Sequence, residues 1–383
     1  MKALVRAALA LLLAMAAPVA VAQDLQAGRA AHERGDHAEA LAHLRPLAEQ
    51  GDPQAQLLLG NILRQGLGVP QDFAAAAHWY RAAAGQGVAE AQGNLGIMHA
   101  QGLGVAQDDA AALHWFRKAA EQGHAAGQFN LAQMYRRGQG TPQNPAEAMR
   151  WYGLAAEAGH TGALFNIGVM HAEGVGTAQD HAEAEGWFRQ AAQAGHTGAA
   201  FNLGIMHNRG LGVMQDHAAA AQWFGQAAGQ GHPAAQFQLG QLYRQGLGVA
   251  ENPAEAVRLF RLAAAQGHVS AQGVLGVMYS RGIGTRRDDA EARRWLRLAA
   301  GQGDADAQMV LAGLLARGAA GGAQDRPRAL MWLLVAAETG DAASASAAAA
   351  DRDRLARSMP AAEIAEAQAR ARRCIDTRLQ DCD

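Results

Sequence analysis

Five histidines, His124, His160, His196, His232 and His268, recur 36 residues apart, each directly after a glycine. Imidazole is a common metal ligand and general base, so the ladder invites a metal reading. Equivalent side chains of stacked helices stand on the order of 10 Å apart, whereas one zinc needs each of its ligands at about 2 Å. No metal site is expected. The spacing favours a structural role, in which imidazoles beside a helix C-terminus complement its dipole and bond to its free carbonyls. His99, His171 and His207 take a core-facing position, where a hydrogen-bonded structural role is expected. Cys374 and Cys382 are the only cysteines, too few for a zinc site. No Gly-x-Ser-x-Gly elbow occurs, and no Ser stands three residues before Lys118. The Gly-x-Gly pairs lack a preceding strand and a Gly-Lys-Ser/Thr ending, so they read as turns, and no cofactor is expected. Acids are common, but nothing marks one carboxylate pair as catalytic.

Three other ladders fit recognition better. Phe129, Phe165, Phe201 and Phe237 hold one position in successive repeats. Beside them run Asn94, Asn130, Asn166 and Asn202, and then Arg136, Arg137, Arg209, Arg244 and Arg281. Aromatic anchors, amides for a peptide backbone and guanidiniums for acids are the parts of a peptide-binding groove. A packing role competes: the rings fit equally well as contacts along the stack, and the regular asparagines fit better as ties between helices.

The elements that must position these side chains follow from a 36-residue period. Gly51, Gly87, Gly123, Gly159, Gly195, Gly231, Gly267 and Gly303 keep it, as do Trp79, Trp115, Trp151, Trp187, Trp223 and Trp295. Such a period marks a solenoid, in which each repeat buries its apolar face against its neighbours. In 125–160, Gln128, Leu131, Ala132 and Tyr135 recur at helical spacing, predicting a first helix that stops at Arg137 before Gly138-Gln139-Gly140. Asn144 caps a second helix that buries Trp151 and Tyr152 and ends at Gly159. Asp72, Asp108, Asp180, Asp216, Asn252 and Asp288 are the equivalent caps. Glu147, Glu183, Glu255 and Glu291, three residues on, are expected to complete capping boxes. On the first helix Phe129, Gln133 and Arg136 point away from the side that Leu131, Ala132 and Tyr135 define.

Leu239-Gly240-x-x-Tyr243 and Leu275-Gly276-x-x-Tyr279 resemble the first-helix signature of tetratricopeptide repeats. The longer period, the Gly102-Leu103-Gly104-Val105 loop and the Ala-x-x-Trp-aromatic-x-x-Ala-Ala second helix are similar to the Sel-1-like branch of that superfamily, from about Leu25 to Gly340. Departures are few: His99, His171 and His207 replace Tyr, Leu259 replaces Trp, and one extra residue falls within Ala319–Gln324. The resemblance implies an all-α, right-handed superhelical solenoid whose first helices line a concave groove. It also raises β-lactamase-like hydrolysis, proposed for cysteine-rich relatives, as a third and weakest function.

Met1-Lys2 and Arg6, the apolar run Ala7–Ala17 and Ala20-Val21-Ala22 have the order of a secretory signal cleaved before Gln23. The run is too short to span a bilayer comfortably, and no later segment reads as transmembrane. The expected organisation is a signal peptide at 1–22, a capping helix pair at 23–52, eight repeats at 53–341 and capping helices with a tail at 342–383. Loss of Lys2 and Arg6 takes the net charge from −2 to −4, which leaves no basic footprint for nucleic acid. An oxidising compartment favours a disulfide between Cys374 and Cys382. The expected protein is a periplasmic, non-enzymatic scaffold that binds an envelope protein or peptide segment, with secretion as the alternative location. Binding of peptidoglycan or exopolysaccharide is the alternative function.

Overall fold

The computed structural model describes residues 23–318 and 324–382. The signal segment at 1–22, most of the insertion at Ala319–Gln324 and Asp383 lie outside the described residues. Those described form helices and no strand, and the chain is an all-α solenoid of repeats. It divides into two compact units between Ala194 and Gly195.

In the first unit, α1 (23–33) and α2 (His37–Glu49) precede four helix pairs. These are α3 (Pro53–Gln65) with α4 (Phe73–Gly85), α5 (Ala89–Gln101) with α6 (Asp109–Glu121), α7 (Ala125–Arg137) with α8 (Pro145–Glu157), and α9 (Thr161–Glu173) with α10 (His181–Gln193). The second unit holds α11 (Thr197–Arg209) with α12 (His217–Gly229), α13 (Pro233–Gln245) with α14 (Pro253–Ala265), α15 (Val269–Arg281) with α16 (Asp289–Ala300), and α17 (Ala305–Arg317) with α18 (Arg326–Thr339). Then α19 (Ala342–Ala356) and α20 (Ala361–Asp376) pack on α18. Cys374 of α20 is fully buried in the core that holds Trp332, and it is bonded to Cys382. No helix among the described residues is long and apolar enough to cross a membrane.

The second helices from α4 to α16 start at the Asp or Asn read as their caps, and α18 starts at Asp325; Asn144 Oδ1, for one, accepts from the Glu147 amide at 3.2 Å. The capping boxes do not form as expected. The amide of the cap already donates to a first-helix carbonyl, Asn144 to Tyr135 at 2.8 Å and Asp288 to Tyr279 at 3.0 Å, so it needs nothing from the glutamate. The glutamates turn forward instead: Glu147 accepts from Trp151 Nε1 at 3.1 Å, Glu291 from Trp295 Nε1 at 2.9 Å, and Glu255 pairs with Arg258 at 2.6 Å.

Successive repeats are tied by buried glutamines. Gln272 Nε2 donates to the Ala264 carbonyl at 3.1 Å, and its Oε1 accepts from Gln302 Nε2 at 2.8 Å. The same pair of bonds involves Gln56, Gln92 and Gln236. Leu164 and Ala200 hold the position in α9 and α11. Gln128 and Gln308 keep the first bond only, because Ala158 and Thr339 stand where the next glutamine would. Gln272→Leu should therefore lose about 2 kcal/mol of stability in urea unfolding, since it removes two hydrogen bonds at once, although the Ala264 carbonyl keeps the Gly267 amide and Gln302 keeps the Leu298 carbonyl. Gln308→Leu, which removes an oxygen that has no partner, should lose less. Equal losses would mean that the relay contributes nothing beyond the bond to the carbonyl.

Candidate ligand groove on the first helices

Among the first helices α5 packs directly on α7 and α15 on α17, and the second helices α4 to α18 make no comparable contact with one another among the described residues. Hollows open along the first helices. In the first unit a hollow of about 240 Å³ is lined by Ile97, Asn130, Gln133 and Arg137. One of about 460 Å³ in the second unit lies among Asn208, Phe237, Gln238, Gln241 and Gln245. A further hollow of about 400 Å³ has Val274, Val277 and Ile283 on its floor, with Arg244 and Arg281 towards one end and Asp304 and Asp306 towards the other.

The ladders do not all reach these hollows. Asn130 and Arg137 share the first, Phe237 lines the second, and Arg244 and Arg281 share the third. Arg209 is exposed, and Asn202 is half-buried. Arg136 lies beside the buried Tyr152, whose hydroxyl is raised above its usual pKa by burial, with Arg136 opposing the shift. Asn94 donates weakly to Asn61 at 3.4 Å, within a chain that continues through Tyr80 to Arg64. Asn166 donates to the Gly162 carbonyl of its own helix at 2.7 Å. These two asparagines hold the scaffold.

The phenylalanines serve the stack as well. Phe129 lies 4.3 Å from His160 in stacked geometry and 5.7 Å from Tyr152. Phe201 sits in the same way between His232 and Phe224, and Phe237 between His268 and Phe260. Phe165 packs on Phe188 at 5.6 Å. All four rings are half-buried, each against the second helix of its own repeat. Packing along the stack therefore accounts for the phenylalanine ladder more fully than ligand anchoring does.

The histidine ladder works at the opposite helix end from the one its spacing suggested. His124, His160, His196, His232 and His268 are N-caps of α7, α9, α11, α13 and α15, and each Nδ1 accepts a backbone amide at 3.1–3.2 Å. One residue of turn after the glycine is enough to carry the imidazole from the end of one helix to the start of the next. An accepting Nδ1 carries no proton, and burial lowers the pKa of His160, His196, His232 and His268. His99 and His171 keep Nδ1 buried without a hydrogen bond, contrary to expectation.

Sequence reasoning turned Gln133 outward without giving it a ligand role, and it missed Gln241, Val274, Val277, Asp304 and Asp306. A signal was present in the broken ladders: Asn202 is followed by Gln238 and then Val274, Phe237 by Gly273, and His268 by Asp304. Three tryptophans have a ring face taken by a cation: Lys118 covers Trp115, Arg150 covers Trp151 at 4.2 Å and Arg294 covers Trp295.

A profile of the Sel1 repeat matches nine consecutive segments, 25–52, 53–88, 89–124, 125–160, 161–196, 197–232, 233–268, 269–304 and 305–341. The helix pair read from sequence as a cap is matched as the first of them. Among solved structures, a Sel1 repeat protein from Oxalobacter formigenes is 33% identical, covers 77% of this chain and 86% of its own, and has a TM-score of 0.63. A protective antigen present in uropathogenic Escherichia coli strains, displaying an SLR fold, is 28% identical over 94% of this chain and 93% of its own, with a TM-score of 0.51. No curated protein matches the chain.

Proposed function

We propose that this chain, which belongs to the Sel1 repeat family, is a periplasmic scaffold that holds a segment of a partner protein against its first helices. Sel1 repeat proteins are generally non-catalytic modules for protein interaction. The hollows on the first-helix side support the reading above all. In them exposed Arg137, Arg244 and Arg281 stand beside amides and half-buried apolar side chains, a mixture suited to a peptide and poorly suited to bulk solvent. Lys2, Arg6, the apolar run and Ala20-Val21-Ala22 support export.

A photo-crosslinking residue at Gln241, compared with one at the exposed Gln222 on a second helix, tests the face. In the native envelope, Gln241 should give a protein adduct that Gln222 does not. Arg281→Glu should weaken the adduct roughly tenfold, the scale of one lost charge pair. Equal adducts at both positions would move the site to another face. Recovery of the chain from the cytoplasm with residues 1–22 still attached, and none from the periplasm, would overturn the export reading.

A further inference from the structure

At the step from α15 to α17 the repeat loses both members of its aromatic stack. The position of Phe129, Phe201 and Phe237 is Gly273, and the histidine that stacks on each of those rings is replaced by Asp304. The 400 Å³ hollow lies at this step and includes both residues. Asp304 Oδ1 caps α17 by accepting the Ala307 amide at 2.8 Å. Its Oδ2 lies 3.3 Å from the point a Cβ on Gly273 would occupy, which leaves that oxygen beside the vacated space. The lining is more apolar than in α7 or α13, since Val274 stands where Asn94, Asn130, Asn166, Asn202 and Gln238 precede it and Val277 stands at the position of Gln133 and Gln241, which Ile97, Val169 and Ile205 also fill with apolar side chains.

Charge divides the hollow along the helix axes. Asp304 and Asp306 lie at the start of α17, while Arg244 and Arg281 lie in the last turns of α13 and α15. The length of such a helix separates the two ends by about 18 Å at 1.5 Å per residue. An extended chain covers that distance in about five residues.

Building on the groove reading, we infer that this hollow takes an aromatic side chain of a partner in place of the missing ring. The segment that carries it has a basic residue beside the ring, facing Asp304 and Asp306, and an acidic residue about five positions away, facing Arg244 and Arg281. Burial of the ring on Val274 and Val277 supplies most of the affinity, and the charges at either end fix the direction of the segment.

Fluorescence anisotropy of the full chain with a labelled peptide containing Arg-Phe-Ser-Gly-Ser-Glu tests this directly. The peptide should bind at least about tenfold tighter than its counterpart with Ala in place of Phe. Val274→Asn with Val277→Gln, which installs the residues of α7 and should leave the fold intact, should remove that advantage. So should Gly273→Phe with Asp304→His, which rebuilds the stack. Equal binding of the two peptides, no binding of either, or variants that bind like the natural chain would each overturn the inference. The groove reading is judged separately, by the Gln241 crosslinks, so one can fail while the other stands.

Discussion

Gly248→Ala should lower the stability of the chain by about 3 kcal/mol, against about 1 kcal/mol for Gly231→Ala. Both glycines have positive φ, +69° and +88°, so both substitutions carry the penalty of a left-handed alanine. Only Gly248 touches a neighbouring repeat. A Cβ there would stand 2.2 Å from the His217 carbonyl carbon and 2.4 Å from the Ala218 nitrogen, whereas one at Gly231 meets nothing within 4 Å. The clash is backbone on backbone, so no side chain can rotate out of the way, and the loop must lift off the first turn of α12. Gly140 on Asp109 and Gly284 on Pro253 repeat the contact. For the unit Gly195–Asp383, which holds both glycines, the difference of about 2 kcal/mol should appear as a gap in Tm of roughly 4–8 °C between the two variants. Identical melting temperatures would show that the loop is not seated on the preceding repeat.

Acidification should weaken the stack through its histidine caps. A neutral Nδ1 is the acceptor for the first turn of α9, α11, α13 and α15. Protonation removes the acceptor and places a positive charge at the positive end of the helix dipole. Burial holds all four folded-state pKa values below the ordinary histidine value. Below pH about 6.5, the unfolded-state value, the unfolded chain therefore binds more protons. The contribution is complete above that pH and is lost as pH falls through the lower folded values. Losing a cap costs about 1 kcal/mol, so the four together set a decline on the order of 4 kcal/mol between pH 7.5 and pH 5. Urea midpoints at the two pH values measure it. Replacing the four histidines with Asn, a good cap that does not titrate, should abolish most of the decline. Glu147 and Glu255 have pKa values lowered by their Arg150 and Arg258 partners, so they titrate at more acidic pH and leave this window to the histidines. A decline of equal size in the Asn variant would rule out the caps as its source.

The period and the local capping signals made the helices legible. The ends of α7 at Arg137 and of α8 after Asn144 are written in glycine and asparagine, which act on their nearest neighbours. Features that need the third dimension were harder to read. Whether His160 serves the helix before it or after it depends on the direction the chain takes in a single residue, which no wheel shows. A wheel of α7 turns Phe129 away from the helix's buried side, yet the ring packs on Tyr152 of α8 and under His160, the cap of α9. A helix wheel describes one helix and has no place for the neighbour. The Arg244–Arg281 hollow was half legible, because the arginines recur and can be found. Val274, Gly273 and Asp304 beside them are informative only because each breaks a ladder.

The seating of Gly248 on α12 has a consequence for how the solenoid is built. That loop rests on residues some thirty positions earlier, Gln272 bonds to Ala264 behind it, and Gln302 bonds to Gln272 behind it in turn. Each new helix pair thus finds its docking surface already made by the pair before it. A chain that appears N-terminus first, at a ribosome or a translocation pore, can add one pair at a time to a finished end without waiting for distant sequence. Assembly of this kind resembles the growth of a filament from a seed, with the first helices as the seed.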